Sequence, residues 1–133
     1  MLVLAPESVD FDGELWLGVE SIAIDRTASR EGVEVGDHGP HGVFADVPEQ
    51  RVSVKVTRKI ERSELGTVVP GDEGQLQFRA GFGRTDAGWS SVTVGVVVTR
   101  VDHDFSRSGV HRVVTMVAVS SDGVSDPVSV EGV

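Results

Sequence analysis

The sequence predicts an all-β protein, or a β protein with one short helix: an antiparallel sandwich or barrel of about six to eight strands with one long loop. The first basis is composition: 27 of the 133 residues are Val, against six Leu and three Ile, and β-branched side chains favour strands. The second is the alternation of apolar and polar residues through much of the second half. The third is the supply of turn residues, 16 Gly and five Pro. Because this length is typical of one domain, we expect a single domain over residues 1–133.

The first half of the chain has the less regular pattern. Residues 14–25 alternate like a strand or a hairpin, and a change of phase at residues 19–21 indicates a bulge or a turn. Residues 26–50 are rich in Gly, Pro, Asp and His. We interpret them as a long loop with at most two short strand pieces. Unstructured loops longer than about 12–15 residues are usually functional or disordered, so this segment is a candidate functional element.

The second half contains four segments in which apolar and polar residues alternate, as in strands with one buried face. The segments are residues 52–60, 75–82, 89–101 and 110–121. Their apolar positions are predicted to form the core. The core candidates are Val52, Val54, Val56, Leu76, Phe78, Val94 and Val96.

Polar and Gly-rich stretches are predicted to connect these strands. Ser63 is in position to cap a helical turn that Gly66 ends. Residues 83–88 are typical of a turn, and residues 102–109, which include Asp-His-Asp, are interpreted as a polar connection. A short terminal strand follows the Ser-Asp-Gly and Asp-Pro turns.

Charge is unevenly distributed along the chain. The formal net charge is −9, and residues 1–50 carry 11 acidic residues but only Arg26 and Arg30 as basic ones. Proteins that wrap nucleic acid need Lys and Arg to neutralise phosphate, so the acidic balance argues against ordinary nucleic-acid binding. Two interpretations remain open for the acidic half. It is either a solvated surface that keeps the protein soluble, or an anionic surface that faces another molecule and prevents that molecule from binding to it.

Cysteine and long apolar segments are both absent from the sequence. Without Cys, the chain has no disulfide framework, thiolate nucleophile or thiolate-bound metal, which is consistent with folding in a reducing cytoplasm. No run approaches the roughly 18 apolar residues of a membrane span. The start, MLVLAPESVD, has no basic region and only a short apolar stretch. We therefore expect neither a signal peptide nor a membrane partner.

Motifs for catalysis or cofactor binding are weak. His38 and His41, together with Asp37, provide part of a metal-ligand set, but no second matching motif occurs and solvated turn residues are the favoured interpretation. No nucleophile motif occurs, and the glycines at 81, 83 and 88 have the wrong spacing for a phosphate loop. With two Trp and no Tyr, the chain offers few stacking surfaces for a glycan. We predict no catalytic residue, metal or cofactor, and a protein that is not an enzyme.

Self-assembly is the function that these observations favour. Long Val-rich strands without proline at their edges invite pairing with another copy of the chain. An extended polar loop becomes ordered when it reaches a neighbour. The candidate inter-subunit residues in that loop are Asp37, His38, Pro40, His41 and Phe44.

The order of these features resembles the tail tube proteins of long-tailed bacteriophages and related injection machines. The matching elements are the strand pair at residues 14–25, the long loop at 26–50 and the helical turn near 61–66. The closing stretch VTRVDHDFSRSGVHRVVTMVAVSSDGVSDPV is also similar. The likeness is one of layout and covers nearly the whole chain.

This resemblance implies a structural virion protein. Subunits would form hexameric rings that stack into a tube, through which DNA passes during ejection without specific binding. The long loop would bridge neighbouring rings, and the partners would be the chain itself and other phage tail proteins. The location would be the virion tail, after assembly in the host cytoplasm. The charge distribution departs from this expectation. The acidic excess lies in residues 1–50, whereas strands from residues 51–133, which carry no net charge, would also line the lumen.

Two other classes remain open. A tail terminator or baseplate adaptor protein would share the fold but form rings that do not elongate. A monomeric β-sandwich that binds a ligand would show stabilisation by that ligand.

Overall fold

The structure is a computed structural model that describes residues 1–81 and 89–132. Its described part contains nine strands and one 3-10 turn, Arg62–Glu64. The strands are β1 (Leu2–Leu4), β2 (Glu7–Phe11), β3 (Glu14–Leu15), β4 (Val19–Val35), β5 (Gly42–Ile60), β6 (Glu73–Gly81), β7 (Trp89–Ser106), β8 (Gly109–Ala118) and β9 (Val128–Gly132). Every pairing among them is antiparallel. The predicted all-β, antiparallel class is confirmed, with one strand more than the predicted range.

All nine strands belong to a single sheet that rolls up on itself. The strand order is β1-β4-β5-β8-β7-β6-β2-β3, with β9 also paired to β7. β1 and β2 lie near opposite ends of this order, yet only Ala5 and Pro6 join them. Three Cα-to-Cα steps span at most about 11 Å, so the two ends of the sheet must approach each other. Rolling gives the sheet an interior face and an exterior face.

The core fills the interior face of this rolled sheet. Ile22, Val54, Leu76 and Met116 are completely shielded from solvent, and each contributes from a different strand. All seven residues proposed for the core in the sequence are buried. Burial alternates along β5 and β8, because successive side chains of a strand point to opposite faces.

Residues 26–50 are not a loop, and this part of the sequence interpretation is wrong. β4 and β5 continue through the segment as a paired hairpin, and only residues 36–41 connect them. The Gly and Pro content suggested a loop, but the two strands accommodate these residues at shifts in register and continue to pair. Pro48 lies at such a shift, between the pairs formed by Asp46 and Glu49, so its missing N–H interrupts no ladder bond.

Two smaller predictions also need correction. Ser63 does not cap the 3-10 turn: Glu61 precedes that turn, and no side chain there makes a capping hydrogen bond. The Asp-His-Asp stretch of residues 102–104 is not a turn, because β7 continues to Ser106 and only two residues connect it to β8. Its polar side chains sit on a hairpin that is largely exposed, so the polarity marked solvent exposure rather than a turn.

Other local predictions are confirmed. The register of β4 against β5 shifts between Val19 and Ser21, where the change of phase indicated a bulge or a turn. The terminal strand is present as β9. The predicted turn at residues 83–88 lies outside the described residues. Within the described part of the chain, no helix has the length and apolar character needed to cross a membrane.

Candidate assembly surface

The distal halves of β4 and β5 form a hairpin, residues 25–51, which we call the arm. Its side chains are exposed along both strands. Among the described strands, β1 reaches only as far as Ala23 on β4, and β8 begins to pair with β5 at Ser53. At about 3.3 Å per residue, each strand of the arm extends about 35 Å beyond the core. The arm is therefore a two-stranded projection without a third strand.

The outer end of the arm, residues 31–48, exposes apolar side chains on both faces, and we call it the tip. Val33 and its cross-strand partner Ala45 share one face, and Val35 follows two residues after Val33. Phe44, 58% exposed, lies opposite Glu34 on the other face. An isolated two-stranded hairpin is only marginally stable in water. Apolar residues on both of its faces therefore indicate a surface that another molecule covers.

The tip is also strongly acidic. It carries Glu31, Glu34, Asp37 and Asp46 and contains no Lys or Arg. In the described structure none of these four carboxylates forms an ion pair. A partner for the tip needs an apolar surface bordered by cations.

The inter-subunit residues proposed from the sequence all lie at the tip. Asp37, His38, Pro40 and His41 belong to the turn, and Phe44 lies on β5. All five are exposed. The structure does not gather the acidic residue and the two histidines into a ligand set: in residues 1–81 and 89–132 no group of three such side chains is placed to hold a metal ion.

The base of the arm is fastened to the connection between β8 and β9. The Arg26 guanidinium donates two hydrogen bonds to the Asp126 carboxylate, at 3.1 and 2.9 Å. These bonds keep the pKa of Asp126 below its usual value. Within the same connection, Asp122 accepts bonds from the Ser125 hydroxyl and from backbone N–H groups, which lower its pKa strongly. The connection is thus held at the point where the arm leaves the core.

A pair of buried arginines lies at the other end of the sheet. Arg58 and Arg112 are direct cross-strand partners, and both point into the interior. Their guanidinium carbons lie 5.8 and 5.3 Å from the centre of the Trp16 ring. Glu64 approaches Arg58 to 3.0 Å, and the Leu17 carbonyl accepts a 2.7 Å bond from Arg58 Nε. The Glu64 carboxylate and the Trp16 ring thus offset two adjacent positive charges, with a smaller contribution from Glu14 to Arg112.

Arg112 has fewer hydrogen-bond partners than Arg58. Its Nη1 donates to the Thr67 hydroxyl at 3.0 Å, but its Nε and Nη2 find no partner among the described residues. Burial, and then the neighbouring Arg58, lower the pKa of Arg112. Glu64 and Thr67 both belong to the connection between β5 and β6. The ion pair of Arg58 with Glu64 and the hydrogen bond of Arg112 to Thr67 therefore hold this connection against the end of the core.

Sequence reasoning did not find the arginine pair. The available signal was that Arg58 interrupts the apolar side of 52–60, and Arg112 occupies a corresponding position among the valines of 110–114. Charged side chains are rarely fully buried, so this pattern alone did not indicate an interior pair.

Comparison with known proteins yielded no family and no curated protein that matches the chain. The function must therefore be inferred from the molecule's own surfaces.

Proposed function

We propose that the protein is a structural virion protein, a tail tube subunit that forms stacked hexameric rings around a channel for DNA. The observation that carries the proposal is the arm. It has strand pairing, exposed apolar side chains and a base bonded to the connection between β8 and β9, but its side chains stay exposed in the described chain. Such a projection is expected of a subunit whose native state is an assembly.

The acidic balance supports a channel through which DNA slides. With a net charge of −9, a lumen built from many copies repels phosphate and does not trap it. The arm accounts for a net −3 of this charge, because its six acidic residues outnumber Arg26, Arg30 and Arg51. The rest of the chain carries the larger share, a net −6, and the arms add to this anionic surface.

The remaining parts of the proposal follow from this role. The subunit binds copies of itself and other phage tail proteins, is assembled in the host cytoplasm and resides in the virion tail. DNA is a passing cargo rather than a bound ligand.

Negative-stain microscopy of the purified full-length chain at several concentrations, with light-scattering masses measured in parallel, tests the proposal. Stacked rings or hollow tubes are the expected result. Isolated rings that never elongate would instead identify a terminator or a baseplate adaptor. A monomer of 14.1 kDa at every concentration would contradict the proposal and favour a ligand-binding module.

A further inference from the structure

An apolar groove opens at the end of the sheet that lies away from the arm. Ile60, Val110 and Phe105 form a row of cross-strand partners on β5, β8 and β7. Ile60 and Val110 are buried and form the floor, whereas Phe105 is 67% exposed and forms a wall. Leu65 adds an apolar side chain from the connection after β5. The groove has a volume of about 660 Å³.

Two arginines border this groove. Arg62 and Arg107 both line it, together with Glu61. Neither arginine forms an ion pair with any residue that the structure describes. Lys59 lies beside Gly109 at the same end of the molecule. The groove is therefore an apolar surface with a mostly cationic border.

The tip of the arm has the complementary character. It offers exposed Phe44 for the apolar floor, on the same face as Glu34 and Asp46, and its four carboxylates face no Lys or Arg within the tip. Apolar burial supplies affinity in such a contact, and the opposite charges set its orientation and exclude wrong partners.

The geometry excludes contact between the tip and the groove of one copy. β5 begins at Gly42 in the tip and ends at Ile60 in the groove, a continuous strand of 19 residues. At about 3.3 Å per residue, the two surfaces are about 60 Å apart. The tip of one copy can therefore fill only the groove of another copy. Such a contact is heterologous and repeats along the direction of β5.

We propose that the groove of Ile60, Leu65, Phe105 and Val110 receives the arm tip of a second copy of this chain. Phe44 enters the groove, and Asp46 and Glu34 face Arg62 and Arg107. The proposal rests on the self-assembly in "Proposed function" and names the receiving surface. Repetition of the contact joins subunits head to tail along the strand direction.

The absence of Cys from the chain makes disulfide trapping a direct test. Gly32→Cys places a thiol in the tip on the face that carries Phe44, where a side chain has open space. Ser108→Cys places a second thiol in the turn beside the groove, and the proposed contact residues stay unchanged. The double variant should give a ladder of linked multimers on mild oxidation of the assembled protein. The matched control combines Gly32→Cys with Val124→Cys, whose position is exposed and remote from the groove.

A ladder specific to the variant that combines Gly32→Cys with Ser108→Cys supports the groove as the receiving surface. Assembly with no ladder, or with a ladder equal to that of the control, overturns the groove while leaving self-assembly intact. The double variant is compared with the unmodified chain under the same conditions. If only the double variant stays monomeric, the two single variants are mixed instead, and this mixture should give linked dimers. If the unmodified chain itself does not assemble, both proposals fail.

A charge exchange provides a second test on the same contact. Arg107→Glu places like charges opposite the tip and should reduce the yield of the linked species by about threefold, within the range of an exposed charge pair. Adding Asp46→Arg to this variant should restore the yield. No reduction, or no restoration, would contradict the orientation in which Asp46 faces Arg107.

Discussion

The two halves of β5 differ in their surroundings although they form one continuous strand. From Val52 to Ile60 the strand lies between β4 and β8, and its side chains alternate between core and surface. From Gly42 to Arg51 it pairs with β4 alone, and every side chain is exposed. The comparison teaches that strand formation and burial are separate properties. Apolar alternation marks only the half that the chain itself covers.

The same difference predicts unequal local stability. The core half of β5 is held by ladder bonds on both edges and by buried valines. The arm half has ladder bonds on one edge and no burial in its own chain. Segments with few buried apolar contacts open at a small free energy. In the isolated chain, therefore, the arm should open independently of the core.

The largest effect is expected from placing a carboxylate in each half of β5. Val54→Asp puts a charge where no solvent reaches, and it should reduce the free energy of unfolding by more than about 4 kcal/mol or abolish folding. Val43→Asp, at a position 72% exposed in the arm, should change it by less than about 0.5 kcal/mol. Urea denaturation followed by circular dichroism measures both. Similar losses in the two variants would refute the separation of core and arm.

The next effect concerns Glu64, which offsets the two buried arginines. Glu64→Gln removes the carboxylate that pairs with Arg58 and leaves only the weaker attraction of Glu14 for Arg112, so it should lower the free energy of unfolding by about 2 kcal/mol. The neighbouring Glu61 is exposed and forms no ion pair with a described residue. Glu61→Gln is thus the matched control, with an expected change below about 0.5 kcal/mol. Equal denaturation midpoints for the two variants would show that the buried pair needs no counter-charge.

The two arginines should themselves differ. Arg58 bonds to Glu64 and to the Leu17 carbonyl, whereas Arg112 has two nitrogens without a partner among the described residues. Replacing a poorly paired buried charge with an apolar side chain of similar length is often neutral. Arg112→Met should therefore cost at least about 1 kcal/mol less than Arg58→Met. The reverse order in a thermal or urea denaturation series would contradict this assignment.

For the arm, a substitution should affect assembly and leave the subunit unchanged. Phe44→Ser removes an exposed aromatic side chain, so the free energy of unfolding of the monomer should stay within about 0.5 kcal/mol of the parent. Association should weaken about tenfold or more, as expected when a buried aromatic anchor is lost. Val124→Ser, at a position 90% exposed, is the control, and it should assemble normally. Sedimentation velocity distinguishes the variants, and normal assembly of Phe44→Ser would exclude this side chain from the contact.

The smallest effect should be the pH response of the connection at the base of the arm. In the folded state, the hydrogen bonds from Arg26 hold the pKa of Asp126 below its usual value of 3.8. Their stabilisation is thus complete above about pH 4 and is lost as the pH falls through the lowered folded pKa. Amide exchange of residues 119–127, corrected for intrinsic rates, should therefore accelerate below about pH 4. In the variant Asp126→Asn, residues 119–127 should already exchange faster at neutral pH. The control Asp104→Asn, on an exposed part of β7, should leave their exchange unchanged.

Much of the core was predictable because its signal is local. Period-two alternation located the core half of β5 and strands β6, β7 and β8, and the change of phase near Val19 located a bulge. Leu76 and Phe78 lie inward, as alternation indicates. These inferences need only the geometry of a strand with one buried face.

The arm and the arginine pair were harder to predict because their causes are not local. In the arm, Gly32 and Pro48 weaken the strand pattern, and only the pairing between β4 and β5 shows that bulges accommodate such residues. Arg112 is tolerated inside because Trp16 and Glu64, far away in sequence, meet it there. The role of His38, His41 and Phe44 between subunits stays a prediction.

Amide deuterium exchange at low and high protein concentration tests the central claim most directly, namely that the arm is completed by another copy. In the dilute monomer, residues 27–51 should exchange rapidly while residues 52–60 of the same strand stay protected. On assembly, protection should appear in the arm and should change little in the core half. Full protection of the arm in the monomer, or an exposed arm in the assembled protein, would contradict the claim.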